Sequence, residues 1–154
     1  MNANLYLYGA PGSGKSTYGR HLAAVKGMPF VDLDAAIERR DGRKIPEIFA
    51  QAGEAAFRAL EKAELKRVSA TPGQVVALGG GALLDAESRQ IAEATGRVVF
   101  LACAEDELLR RVAASRERPL LAGDAGERLR RLLAARREHY ASFTERIVPP
   151  TLEA

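Results

Sequence analysis

The chain has 154 residues, the length of one ordinary domain, and 47% hydrophobic with 28% charged residues describe a globular protein with a single core. No apolar run approaches the ~20 residues that cross a bilayer, Met1-Asn2-Ala3-Asn4 is not a basic leader, and the single Cys103 has no partner for an internal disulfide. Secreted, membrane-bound and disulfide-stapled classes are set aside, and one cytoplasmic domain over residues 1–154 is expected, monomeric by default. The formal charge of +3 is uneven: between Arg110 and Arg137 nine arginines face three acids, a local +6, which leaves −3 elsewhere.

In chain order, Leu5-Tyr6-Leu7-Tyr8 is a short β-prone run ended by Gly9. A helix-prone segment runs from Lys15 to about Lys26, with Gly27 as its stop. Phe30-Val31-Asp32 reads as a second strand, and 35–69 as helical, broken at Asp41-Gly42 and again near Gly53. Val75 to Leu78 is a buried strand running into Gly79-Gly80-Gly81, and Val98 to Ala102 is another. Residues 116–126, with Pro119, Gly123 and Gly126, read as an arginine-rich loop of the kind that closes over nucleotides, or as a plain surface loop. Leu129, Leu132, Leu133, Arg136 and Tyr140 share one helical face, and Ile147-Val148 suits a last strand. Short apolar strands alternating with helices predict an α/β fold whose parallel sheet is covered on both faces, with ligands beyond the carboxyl ends of the strands.

Gly9-Ala10-Pro11-Gly12-Ser13-Gly14-Lys15-Ser16 fits G-x-x-x-x-G-K-[ST] between a strand and a helix, which is the context the motif requires. Glycines let successive N–H groups converge on a phosphate at a helix N-terminus, Lys15 reaches the β/γ-phosphates, and the Ser16 hydroxyl suits Mg²⁺. Guanine recognition through Asn-Lys-x-Asp is impossible, since the only asparagines are Asn2 and Asn4. ATP is therefore the expected nucleotide.

A second metal-supporting acid is expected at a strand end. Val75 to Leu78 ends in glycine, so the role falls to Asp32. Asp34 lies two residues on; in an extended stretch both carboxylates face one cleft, one for the metal and one for a substrate hydroxyl. Asp34 also suits the N-cap of a helix starting at Ala35. The basic block suits a nucleotide or a phosphorylated metabolite, or simply a solvated helix surface. Without an RRM or zinc-finger signature, no nucleic-acid partner is expected, nor is a membrane. Cys103 is expected to be a small buried residue, and neither His21 nor His139 has metal-ligand spacing.

The ordered set of phosphate loop, Phe30-Val31-Asp32-Leu33-Asp34, Ile48-Phe49…Gly53-Glu54…Phe57-Arg58, Gly79-Gly80-Gly81 and Arg118-Pro119-Leu120-Leu121 resembles the shikimate kinase family, in register from about Leu5 to Tyr140. The resemblance implies a three-layer P-loop kinase fold with a five-stranded parallel sheet, an acceptor-binding region over about 33–61 and a mobile lid over about 112–126. It also implies transfer of the ATP γ-phosphate to the 3-hydroxyl of shikimate. By that resemblance Gly12, Ser13, Gly14, Lys15, Ser16 and Thr17 hold the phosphates, and Ser16 binds Mg²⁺ with Asp32 in its second coordination sphere. Asp34 meets the reacting hydroxyl, while Arg58, Gly80 and Arg136 hold the rest of shikimate, the arginines taking its carboxylate. Arg118 reaches the phosphates from the lid, and Arg111 sits near adenine. Two other classes remain as alternatives: a gluconate-type P-loop kinase and a nucleotide-sensing module that phosphorylates nothing.

Two departures stand out. Arg136-Arg137-Glu138-His139-Tyr140 replaces the family's Arg-x-Pro-Leu-Tyr, and the four-residue spacing to Tyr140 selects Arg136 over Arg137. The tail from Pro149 to Ala154 is short, so less chain is expected around adenine.

Overall fold

The computed structural model describes residues 3–114 and 125–149. Its elements are β1 (Asn4–Tyr8), α1 (Lys15–Lys26), β2 (Phe30–Asp32), α2 (Leu33–Asp41), α3 (Ile45–Ser69), β3 (Val75–Ala77), α4 (Ala86–Thr95), β4 (Gly96–Leu101), α5 (Glu105–Ala114), α6 (Ala125–Ala141) and β5 (Arg146–Ile147). The strands form one all-parallel sheet in the order β2-β3-β1-β4-β5. Chain reversal between parallel neighbours needs a crossover, and the helices supply it. The expected α/β architecture is the one observed.

Alternation along β1 divides the core. Tyr6 and Tyr8, both fully buried, join Leu33, Ile37, Ile48, Phe57, Leu65 and Phe100 on one face of the sheet. Leu7 turns to the other face, with Val75, Val99, Leu101 and Ala23 of α1. Helix α1 seats closely there at Gly19, where a Cβ would stand 2.6 Å from the Phe30 ring. The buried phenol of Tyr6 is satisfied by Asn4, Ser69 and Thr95 at 3.1, 2.8 and 2.6 Å, as a polar atom in such a core must be.

Two helices went unassigned in the sequence. One is α4, capped by Asp85, whose Oδ2 accepts the Ser88 N–H at 2.9 Å. It runs into β4 without a turn, and a Cβ at Gly96 would collide with the Asn4 carbonyl oxygen, so a glycine there allows the junction to press against β1. The other is α5, with acids in its first turn where they complement the helix dipole. The expected break near Gly53 is a kink inside α3, at φ 86° and ψ 171°. Cys103 is only partly buried, packed at the edge of the core rather than enclosed by it.

Candidate active site

The phosphate loop joins the carboxyl end of β1 to α1, in the middle of the sheet. Gly12 and Gly14 take φ 83° and 90°, a left-handed backbone that side chains disfavour, and Gly14 stands at the N-cap of α1 with no side-chain cap. The N-terminus of α1 is thus left open to an anion. Lys15 Nζ donates to the carbonyls of Gly9 and Ala10 at 2.8 and 3.0 Å. Burial lowers its pKa to about 8, against the pull of Asp34 and Asp32. Arg111 reaches the same loop from α5: its guanidinium donates to the Gly12 carbonyl at 2.6 Å and to Glu107 at 3.0 Å.

Strand β3 separates β1 from β2, yet the turn into α1 brings Ser16 to the end of β2, where its hydroxyl donates to Asp32 Oδ2 at 2.9 Å. The other Asp32 oxygen accepts the Ala35 N–H at 3.2 Å, so Asp32, not Asp34, caps the helix, which starts at Leu33. Asp34 sits in the first helical turn rather than in an extended stretch. Both carboxylates still line one cleft, because a strand-to-helix turn at a sheet end directs its first residues over that end. Asp34 Oδ1 is buried without a hydrogen-bond partner, and a Cβ at Gly79 would stand 3.0 Å from it. Burial, and the charge of Asp32 after it, raise the Asp34 pKa, while Lys15 opposes them.

The cleft encloses about 720 Å³ between this wall and side chains from α3 and α6. Beyond the kink at Gly53, α3 presents Arg58, whose Nη1 donates to Glu61 at 2.8 Å while Nε lies 3.5 Å from Glu54. Glu61 is only 3% exposed, and its second oxygen has no partner. Its pKa is raised by burial, against the nearby Arg58. Arg58 also lies over the Phe57 ring, which in turn packs on Phe49 at 4.8 Å between ring centres. From α6, Arg136 Nη1 donates to the Tyr140 hydroxyl at 3.2 Å, and that hydroxyl donates to the Gly80 carbonyl at 2.7 Å.

The structure thus brings together Gly12, Gly14, Lys15, Ser16, Thr17, Asp32, Asp34, Arg58, Gly80 and Arg136 around one cleft. Ser13 lies buried in the loop with its hydroxyl unpartnered, and Arg111 stands at the loop's outer edge. Arg118 and most of the expected lid lie outside the described residues; Val112–Ala114 close α5, and Ala125 and Gly126 open α6. Sequence reasoning missed Glu61. Its only signal is the i+3 spacing from Arg58, which reads equally as a solvated helix pair.

His139 lies 2.9 Å from the Tyr8 hydroxyl through Nε2. Burial pushes the Tyr8 phenol pKa up, so it stays protonated beside the ring. The His139 pKa is lowered by desolvation and then by Arg89 and Arg136. A histidine whose folded pKa lies below its unfolded 6.5 binds fewer protons when folded, so stability falls as pH drops below 6.5 and levels off below the folded pKa. His139→Gln is expected to shrink the loss of melting temperature between neutral and acidic buffer; an unchanged loss contradicts this assignment.

A phosphate cradle on one wall and cationic groups on the other, with carboxylates between them, is an arrangement for moving a phosphoryl group from a nucleotide to a small acidic acceptor. The fold and the cleft together define a P-loop metabolite kinase. The sequence model of the shikimate kinase family matches residues 11–153. The shikimate kinase of Salinibacter ruber is 50% identical over 128 residues, 82% of this chain and 63% of that protein, so the chain spans less than two thirds of that relative. The shikimate kinase of Pseudomonas paraeruginosa is 43% identical over 97% of this chain and 90% of its own length. The solved shikimate kinase from Acinetobacter baumannii in complex with shikimate superposes with a TM-score of 0.87 at 36% identity, covering 100% of this chain and 86% of that one. The chain belongs to the shikimate kinase family and is an ATP-using kinase.

Proposed function

We propose that the chain transfers the γ-phosphate of ATP to the 3-hydroxyl of shikimate, giving shikimate 3-phosphate and ADP on the route to chorismate and the aromatic amino acids. The observation that carries this reading is the unpartnered Asp34 carboxylate lining one cleft with Arg58, Arg136 and the phosphate loop. A hydroxy acid answers that set: its hydroxyl meets Asp34 and its carboxylate meets the arginines, whose planar forks pair bidentately with such a group. A nucleotide sensor has no use for an acceptor-side carboxylate.

In this reading Gly12 to Thr17 hold the phosphates, and Lys15 exchanges the Gly9 and Ala10 carbonyls for phosphate oxygens. Asp34 orients the hydroxyl and takes its proton, and Gly80 forms part of the acceptor wall. Arg118 closes from a lid over about 112–126, and Arg111 holds the loop's outer edge. Ser16 is a hard oxygen donor that would hold Mg²⁺, with Asp32, whose Oδ2 accepts the Ser16 hydroxyl at 2.9 Å, in its second coordination sphere. When bound, the ion neutralises charge on the transferring phosphoryl group. The chain acts as one domain, a cytoplasmic monomer, a state that sedimentation would test. Among the described residues no helix is long and apolar enough to cross a membrane.

A panel of shikimate, gluconate and nucleoside monophosphates tests the acceptor. Turnover with shikimate alone is expected, and equal turnover with gluconate would remove the acceptor assignment. A Cβ at Gly81 would stand 2.6 Å from Arg58 Nη2, the end of a flexible side chain. Gly81→Ala is therefore expected to fold normally and to raise the shikimate KM by roughly tenfold, the worth of one charged hydrogen bond. An unchanged KM with normal melting would take Arg58 out of the acceptor site.

A further inference from the structure

We infer that Tyr140 is a positioning residue for the acceptor: its hydroxyl fixes the Arg136 guanidinium against the Gly80 wall of the cleft. The inference rests on the reading of Arg136 as the carboxylate-binding group. The geometry admits one hydrogen-bond pattern. A guanidinium has only donors and a backbone carbonyl only accepts, so the phenol accepts from Arg136 at 3.2 Å and donates to Gly80 at 2.7 Å. A phenylalanine fills the same space and does neither.

Both ends of the bridge are well placed for the task. The Tyr140 ring is 7% exposed and packed between Tyr8 and Phe100, with ring centres at 5.8 and 5.1 Å, so its hydroxyl has little freedom. Gly80 is equally confined, since a Cβ there would meet Pro11 at 3.0 Å and the Gly9 carbonyl at 3.3 Å. The bridge therefore references a long, rotamer-rich side chain on α6 to the backbone beside the phosphate loop. Arg136 is one turn before Tyr140 on the same helical face, which puts the two side chains in reach. Arg58 has its anchor in Glu61; the anchor of Arg136 is this phenol.

The test compares Y140F, R136A and the double variant in steady-state kinetics with shikimate and ATP, together with thermal melting. Y140F is expected to raise the shikimate KM by about tenfold, as for a lost hydrogen bond to a charged group, with kcat and the ATP KM within about twofold of wild type. In the R136A background the same change adds nothing, because no guanidinium is left to position. If R136A raises the shikimate KM while Y140F leaves it within about twofold, the positioning role is overturned. It is overturned too if Y140F multiplies the KM equally in both backgrounds, the mark of a merely structural tyrosine. If R136A itself leaves the shikimate KM unchanged, the carboxylate reading fails first and takes this inference with it.

Discussion

Asp34→Asn is expected to lower kcat with shikimate by about 10²–10⁴, the range for loss of a positioned general base. Asparagine keeps the size of the side chain and one accepting oxygen, so it still orients a hydroxyl but takes no proton. The ATP KM is expected to stay close to wild type, since the phosphate loop is untouched. Folding is expected to survive: the Asp34 charge is disfavoured by burial and by Asp32, so a neutral amide removes a cost rather than a support. A variant that melts no lower than wild type and has lost turnover would show the exchange of stability for activity common at catalytic sites. A kcat within about tenfold of wild type would reduce Asp34 to an orienting group, because proton transfer contributes more than that.

Arg136→Ala is expected to weaken shikimate binding by ~2–5 kcal/mol, the cost of removing one member of a desolvated charge pair. ATP binding should change much less, because the arginine stands on α6 and is no part of the phosphate loop. Titration calorimetry with each ligand separates the two. Arg136→Lys keeps the charge and loses the planar fork, so it should fall between wild type and Ala. Equal losses for shikimate and ATP would move Arg136 out of the acceptor site.

What the sequence made legible was local. The phosphate loop, the stop at Gly27, the break near Gly53 and the short strand Phe30–Asp32 each depend on a few neighbouring residues, and each is where the pattern puts it. What it hid depends on the third dimension. Nothing in the chain says that β3 lies between β1 and β2, or that Ser16 nonetheless reaches Asp32. The cap belonged to Asp32 rather than Asp34, a shift of two residues that propensity does not resolve when both are aspartate. Helix α4 was obscured by running straight into β4, a junction dependent on Gly96. Glu61 looks like any helix-surface acid until burial removes it from water. Tyr140 was visible as one member of an apolar stripe, but its hydroxyl bond to Gly80 spans 60 positions in sequence.

The measurement that tests the account most directly is coupled ADP release from Mg-ATP, with and without shikimate, on the wild-type chain. The account predicts ADP release that requires shikimate and saturates with it. Release that proceeds at the same rate without shikimate would contradict it, leaving a P-loop ATPase whose second wall serves some other purpose.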